Sequence, residues 1–174
     1  MKKFLLAAAA VAVSASTAFA ADVTLRVHHF MPAPATLHKY WLEPWAEKIE
    51  AESDGRIDIE LYPAMSLGGS PGGLMDQAID GAVDIVLTLP GYTPGRFNKT
   101  EVFELPFMME DAVSTAKAFY DLIDAELQDG EYTDAKILTA WVHGAGHLHT
   151  DKPVEKLEDL AGMELRGPTR VITD

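Results

Sequence analysis

The chain has 174 residues, with 14 Lys+Arg against 27 Asp+Glu, no cysteine and 48% hydrophobic residues. That length and apolar content suit one ordinary core-forming domain and exclude the disordered and fibrous classes. A net charge of −13 leaves no basic footprint for nucleic acid, and the lack of cysteine excludes disulfide scaffolds, thiol catalysis and cysteine-ligated zinc.

In chain order, Met1-Lys2-Lys3 is a short positive start, residues 4–13 are apolar, and Ala18-Phe19-Ala20 is a small-x-small cleavage signal. This is the secretory pattern, so residues 1–20 are expected to be a signal peptide and the mature chain to reach the periplasm. The apolar run breaks at Ser14 and Ser16, short of the roughly 20 residues a bilayer span needs, and no later stretch is long enough.

Residues 23–29 alternate and are rich in β-branched side chains, which predicts a strand. Leu37, Trp41, Trp45 and Ile49 recur at four-residue intervals and predict a helix over 36–53, bent or truly started at Pro44 and closed by Asp54-Gly55. Residues 56–62 form the cleanest strand, with Ile57, Ile59 and Leu61 on one face. Ser70 has the place of an N-cap before Pro71, and Gly81 that of a C-terminal stop. Residues 83–89 are mostly apolar and predict a third, central strand. After a Pro/Gly-rich loop over 90–106, a helix is expected over 111–128 with Val113, Ala116, Tyr120, Ile123 and Leu127 inward. A fourth strand over 137–142, a helical turn over 157–160 and a fifth strand over 163–166 complete the pattern. Alternating strands and helices at this spacing argue for an α/β fold with a parallel doubly wound sheet, whose ligands lie beyond the carboxyl ends of the strands.

Three constellations carry candidate chemistry. Gly68-Gly-Ser70-Pro71-Gly72 fits a Gly-x-Ser-x-Gly hydrolase elbow, but that mechanism needs the backbone N–H of the residue after the serine, and proline has none. The helix-cap reading of Ser70 accounts for the same residues. His143, His147 and His149 raise an exported metal-binding protein as the alternative function; an extended chain would hold 143 and 147 about 13 Å apart, so a tight turn would be needed. Arg166 ends the last short strand ahead of Gly167-Pro168. Its five-donor fork can grip a carboxylate with two parallel hydrogen bonds, and a surface ion pair is the bland alternative. No nucleophile–base pair is visible, so no enzyme activity and no cofactor are expected.

Residues 152–168, KPVEKLEDLAGMELRGP, resemble the signature of the DctP-type solute-binding proteins of tripartite ATP-independent periplasmic (TRAP) transporters. The segments PWAEKIE at 44–50, SDGRI at 53–57, YPAMSLG at 62–68, GAVDI at 81–85, GYTPGRF at 91–97 and ELPFM at 104–108 agree in order. The resemblance covers essentially all of residues 22–174. It implies a periplasmic-binding-protein-like, two-lobed, class II-like fold of about twice this length. Residues 21–145 would then be the first lobe and 146–174 the start of a second, the chain being a fragment. It implies a periplasmic receptor that captures a small organic acid by hinge closure and hands it to a small and a large membrane subunit, with uptake driven by an ion gradient. In such proteins the arginine matching Arg166 anchors the ligand carboxylate. Sialic-acid binders among them carry a second arginine where this chain has Gly146, and His147 or His149 would have to take its place. His29, Phe30, Tyr92 and Arg96 lie on loops that face the cleft in such folds, and Trp141 is a further candidate for shaping the pocket.

Overall fold

The computed structural model describes residues 21–170; the signal-peptide expectation for residues 1–20 lies outside them. Three parallel strands, β1 (Val23–His29), β2 (Ile57–Tyr62) and β3 (Ile85–Leu87), form a sheet in the order β2-β1-β3. β1 is therefore the central strand. The sequence assigned that place to β3 on its apolar content; β3 instead lies at the edge of the described sheet, and its Ile85 and Leu87 pack onto the cluster under α1. Val23 pairs with Ile57 and His28 with Tyr62, while Val27 pairs with Ile85 and His29 with Leu87. All three strands thus end level with one another.

The helix predicted over 36–53 is continuous but not uniform. It opens with a π-type turn, His38–Leu42, and proceeds as α1 (Glu43–Glu52) with Pro44 in its first turn. The N–H of Glu43 reaches back to the carbonyl of His38. This wider turn relieves the clash that a proline ring makes with the carbonyl four residues earlier. α1 covers one face of the sheet. There Val27, Leu42, Ala46 and Ile59 form a buried cluster joined by Ile57, Leu61, Ile85 and Leu87, each large side chain worth about 1.5–3 kcal/mol when fully buried.

α2 (Leu74–Ile79) follows a 3-10 turn, Pro71–Gly73, and lies on the other face. Ser70 holds the N-cap position with extended backbone, but its side chain is exposed and makes no cap hydrogen bond. The turn is closed by its backbone carbonyl, which accepts from Gly73 at 2.9 Å.

The next segment turns twice as 3-10 helix, Pro90–Tyr92 and Thr100–Glu104, before α3 (Ala112–Leu122). Asp111 caps α3 by accepting from the N–H groups of Val113 and Ser114, and the bonds from Ser114 hold its carboxyl below the ordinary range. α3 runs on into a π-type turn, Ile123–Leu127. Its buried stripe is Thr115, Phe119, Ile123 and Leu127, whereas Val113 and Tyr120 are exposed. The buried face is rotated from the predicted one: Phe119, packed at a tilt of 48° against Phe103 with centroids 4.8 Å apart, takes the inward place expected of Tyr120. Phe119, Ile123 and Leu127 join Met75, Phe97 and Tyr132 in a second buried cluster.

Neither residues 137–142 nor residues 163–166 form strands; both are irregular. Ile137, Ala140 and Val142 still pack against the second cluster, but the N–H of Ile137 is taken by the side chain of Gln128 at 2.9 Å. The expected turn at Leu157–Leu160 is present as 3-10 helix, with Asp159 accepting the N–H groups of Glu155 and Lys156. Among the described residues, no helix is long and apolar enough to cross a membrane.

Candidate functional site

The chain leaves β1 for α1 and β2 on one side and returns through α2 to β3 on the other. The order reverses between β1 and β3, and a crevice opens beyond the carboxyl ends of strands at such a reversal. The residues there are His29 at the end of β1, Phe30 directly after it, and the Pro90–Tyr92 turn after β3.

Two of the predicted residues meet. The rings of Phe30 and Tyr92 pack edge to face, with centroids 5.3 Å apart and planes at 79°. This is the preferred geometry of an aromatic pair, and both side chains are half-buried. They present an apolar, ring-shaped wall at the mouth of the sheet.

His29, the residue before Phe30, is fully buried. Its Nε2 bonds to Nδ1 of His38 at 2.8 Å, and Nε2 of His38 lies 3.3 Å from a carboxylate oxygen of Glu43. The carboxylate keeps a proton on the His38 nitrogen facing it, so His38 Nδ1 accepts and His29 Nε2–H donates. The remaining His29 nitrogen, Nδ1, is buried without a hydrogen-bond partner among the described residues. Burial, with His38 and His28 nearby, lowers the pKa of His29 to about 4. It is a neutral imidazole at physiological pH.

On the opposite face His28, also fully buried, accepts from the N–H of Leu67 and donates from Nδ1 to Gln77 Oε1 at 2.7 Å. The amide nitrogen of Gln77 then donates to the carbonyl of Gly68. This line of bonds, with Ala64 and Met65 donating to the carbonyls of Met31 and His29, fastens the loop after β2 onto the end of β1. Ala64 and Met65 are held at φ of 53° and 57°, a left-handed conformation that side chains rarely adopt.

The other predicted residues are placed differently. Arg96 donates to Asp76 at 2.6 Å, and its guanidinium lies 5.4 Å from the centre of the Phe97 ring. That arginine is engaged on the α2 side. Trp141 packs against Trp41 at a tilt of 58°, with centroids 5.2 Å apart. His143, His147 and His149 are exposed on an irregular stretch, and among the described residues no group of three or more His, Asp or Glu is placed to hold a metal ion. The glycine turn that would gather these three histidines does not form.

Arg166 is exposed and makes no hydrogen bond or ion pair among the described residues. The segment that carries it returns to the crevice: Thr169 donates to Glu104 Oε2 at 2.6 Å, and both groups crowd Gly91, next to Tyr92. Glu104, Thr169 and Gly91 were not singled out in the sequence. The only signal for Glu104 was its place at the head of the ELPFM segment.

The family described as bacterial extracellular solute-binding protein, family 7 (DctP), matches over residues 27–173. The chain belongs to this family. A TRAP solute-binding protein from Rhodoferax ferrireducens T118, solved with copurified benzoate, superposes with a TM-score of 0.81 at 47% identity over 86% of this chain and 47% of that one. A marine-metagenome TRAP solute-binding protein specific for aromatic acid ligands, solved with metahydroxyphenylacetate, gives 0.82 at 48% identity over 87% of this chain and 48% of that one. The ectoine/5-hydroxyectoine-binding periplasmic protein UehA of Ruegeria pomeroyi is 29% identical over 92% of this chain and 47% of its own length. The chain spans about half the length of these relatives. The resemblance read from the sequence and the α/β fold with its parallel sheet are thereby borne out.

Proposed function

We propose that this DctP-family chain is the first lobe, with the start of the second, of a periplasmic receptor that captures a small aromatic carboxylate for a TRAP transporter. Residues 1–20 direct export, residues 21–145 form one wall of the cleft, and residues from 146 onward begin the other. Arg166 grips the carboxylate with two parallel hydrogen bonds, while Phe30 and Tyr92 receive the ring. Hinge closure then buries the ligand until the small and large membrane subunits accept it. The task is capture and release, which needs no nucleophile and no cofactor.

The observation that carries the ligand class is the Phe30–Tyr92 pair at the point where the strand order reverses. A planar apolar ring matches such a wall, and polyhydroxylated acids do not. The aromatic acids held by two solved relatives at 47% and 48% identity support the same class. A neutral His29 at the end of β1 adds no charge that would favour a second anionic group.

Calorimetric titration of the full-length protein with benzoate, 3-hydroxybenzoate, succinate and glucuronate tests the reading. Benzoate or its hydroxylated form is expected to bind at least about tenfold more tightly than either of the others, a difference of about 1.4 kcal/mol. Arg166→Lys keeps the charge but loses the fork and is expected to weaken binding by more than about tenfold, since charge-assisted hydrogen bonds contribute roughly 1.5–3 kcal/mol. Preference for the sugar acid or the aliphatic diacid would overturn the aromatic assignment, and unchanged affinity in Arg166→Lys would remove that residue from the site.

A further inference from the structure

Among the described residues, segment 163–168 is irregular and pairs with no strand. An anchoring arginine is effective only when its backbone is fixed, because a ligand must otherwise meet the entropy cost of ordering it. What fixes Arg166 must therefore lie close by in the chain.

Three groups meet at one point. The hydroxyl of Thr169 donates to Glu104 Oε2 at 2.6 Å, across 65 positions of sequence. A Cβ placed on Gly91 would lie 2.2 Å from the other Glu104 oxygen and 2.7 Å from the Thr169 methyl. Only glycine allows the two side chains to close against the Pro90–Tyr92 turn, and that turn carries Tyr92 of the aromatic wall. Glu104 itself is firmly based. It ends the Thr100–Glu104 turn, whose first residue is held by Glu131 through both its N–H and its hydroxyl, at 3.1 and 3.0 Å, and by Tyr132 at 2.9 Å.

We infer that Glu104, Thr169 and Gly91 form a latch that holds the Arg166 segment over the aromatic wall, with Glu104 acting as a positioning residue for the anchor. The inference rests on the reading of Arg166 as the carboxylate anchor. Arg166 lies three residues before Thr169, so its backbone is at most about 10 Å from the latch. A carboxylate acceptor makes the latch stronger than a neutral bond of the same length. Freed from it, the arginine would still be charged and accessible but would no longer be held in one place.

The test uses the full-length protein with Thr169→Val, Thr169→Ser and Glu104→Ala, beside Arg166→Lys. Valine keeps the shape of threonine and removes the hydroxyl; serine restores it. Without ligand, amide hydrogen exchange over 163–170 is expected to accelerate about tenfold in Thr169→Val and Glu104→Ala, corresponding to about 1.4 kcal/mol of local opening, and to stay within about twofold of wild type in Thr169→Ser. With benzoate as probe, stopped-flow binding is expected to show a faster dissociation rate for the first two variants, an unchanged association rate, and rescue by serine. Wild-type exchange in Thr169→Val, or failure of serine to rescue, overturns the latch. If Thr169→Val binds like wild type while Arg166→Lys loses binding, the latch fails and the anchor reading stands. If Arg166→Lys binds like wild type, the anchor reading fails, and the exchange data alone decide whether the latch exists.

Discussion

Gln128 accepts the N–H of Ile137 at 2.9 Å and donates to the carbonyls of Tyr132 at 3.1 Å and Ala135 at 2.9 Å. One side chain at the end of the α3 turn thus satisfies three backbone groups of the segment that follows. Backbone groups away from water need partners, and here a glutamine supplies what a neighbouring strand would otherwise supply.

Replacing Gln128 by Met keeps the length and removes all three bonds. Each is worth about 0.5–1.5 kcal/mol net, so Gln128→Met is expected to lower stability by about 1.5–4.5 kcal/mol in urea denaturation. A loss below about 0.5 kcal/mol would mean that water replaces the glutamine without penalty.

The same residue explains where sequence and structure part. β1 and β2 were legible because alternation in a half-buried strand is a local property: Ile57, Ile59 and Leu61 face α1 as their spacing requires. Residues 137–142 carry equally good strand composition, but a strand exists only where a second strand accepts its bonds, and composition says nothing of that. The crevice was legible in part for a similar reason. Phe30 and Tyr92 stand directly after strands, where α/β sheets place ligands. Arg96 also follows a strand, yet its charge was taken by Asp76, a contact set by the packing of α2. Glu104 and Thr169 are ordinary residues until the fold brings them together.

Ser70→Ala is expected to change stability by less than about 0.5 kcal/mol in the same assay. The N-cap loss of about 1 kcal/mol applies where the side chain accepts a helical N–H, and Ser70 makes no such bond. The exposed hydroxyl is followed by Pro71, so no esterase turnover of p-nitrophenyl acetate above the Ser70→Ala background is expected; a serine-dependent rate would revive the hydrolase reading.

Stability is expected to fall as pH drops from about 6.5 to about 4. His29 binds a proton near 6.5 when unfolded and only near about 4 when folded, so through that window the unfolded chain holds more protons and acid favours it. The slope contributed is at most about 1.4 kcal/mol per pH unit. Full stability from this group is present above 6.5. Urea unfolding followed by tryptophan fluorescence at pH 7.5, 6, 5 and 4 should show the slope, and His29→Gln, which removes the titrating group, should flatten it. An equal slope in the variant would assign the acid sensitivity to other groups.

Tyr92 provides the sharpest check on the ligand class. In the full-length protein, Tyr92→Phe preserves the ring that meets Phe30 and is expected to change benzoate affinity by no more than about threefold. Tyr92→Ala removes both the ring and its edge-to-face contact with Phe30. An aromatic pair contributes about 0.5–1.5 kcal/mol beyond the area it buries, and the ring's own burial adds about 1.5–3 kcal/mol. Loss of only part of that from the bound state should weaken benzoate by about ten- to a hundredfold. On the proposed reading a carboxylate without a ring, such as acetate, is held by Arg166 and not by the wall, and its weak binding is expected to be unaltered by either variant. Titration of the three proteins with both acids therefore separates a ring-specific wall from general damage to the crevice. Parallel loss of benzoate and acetate in Tyr92→Ala would point to collapse of the Pro90–Tyr92 turn, and unchanged benzoate binding would remove the Phe30–Tyr92 pair from the ligand site.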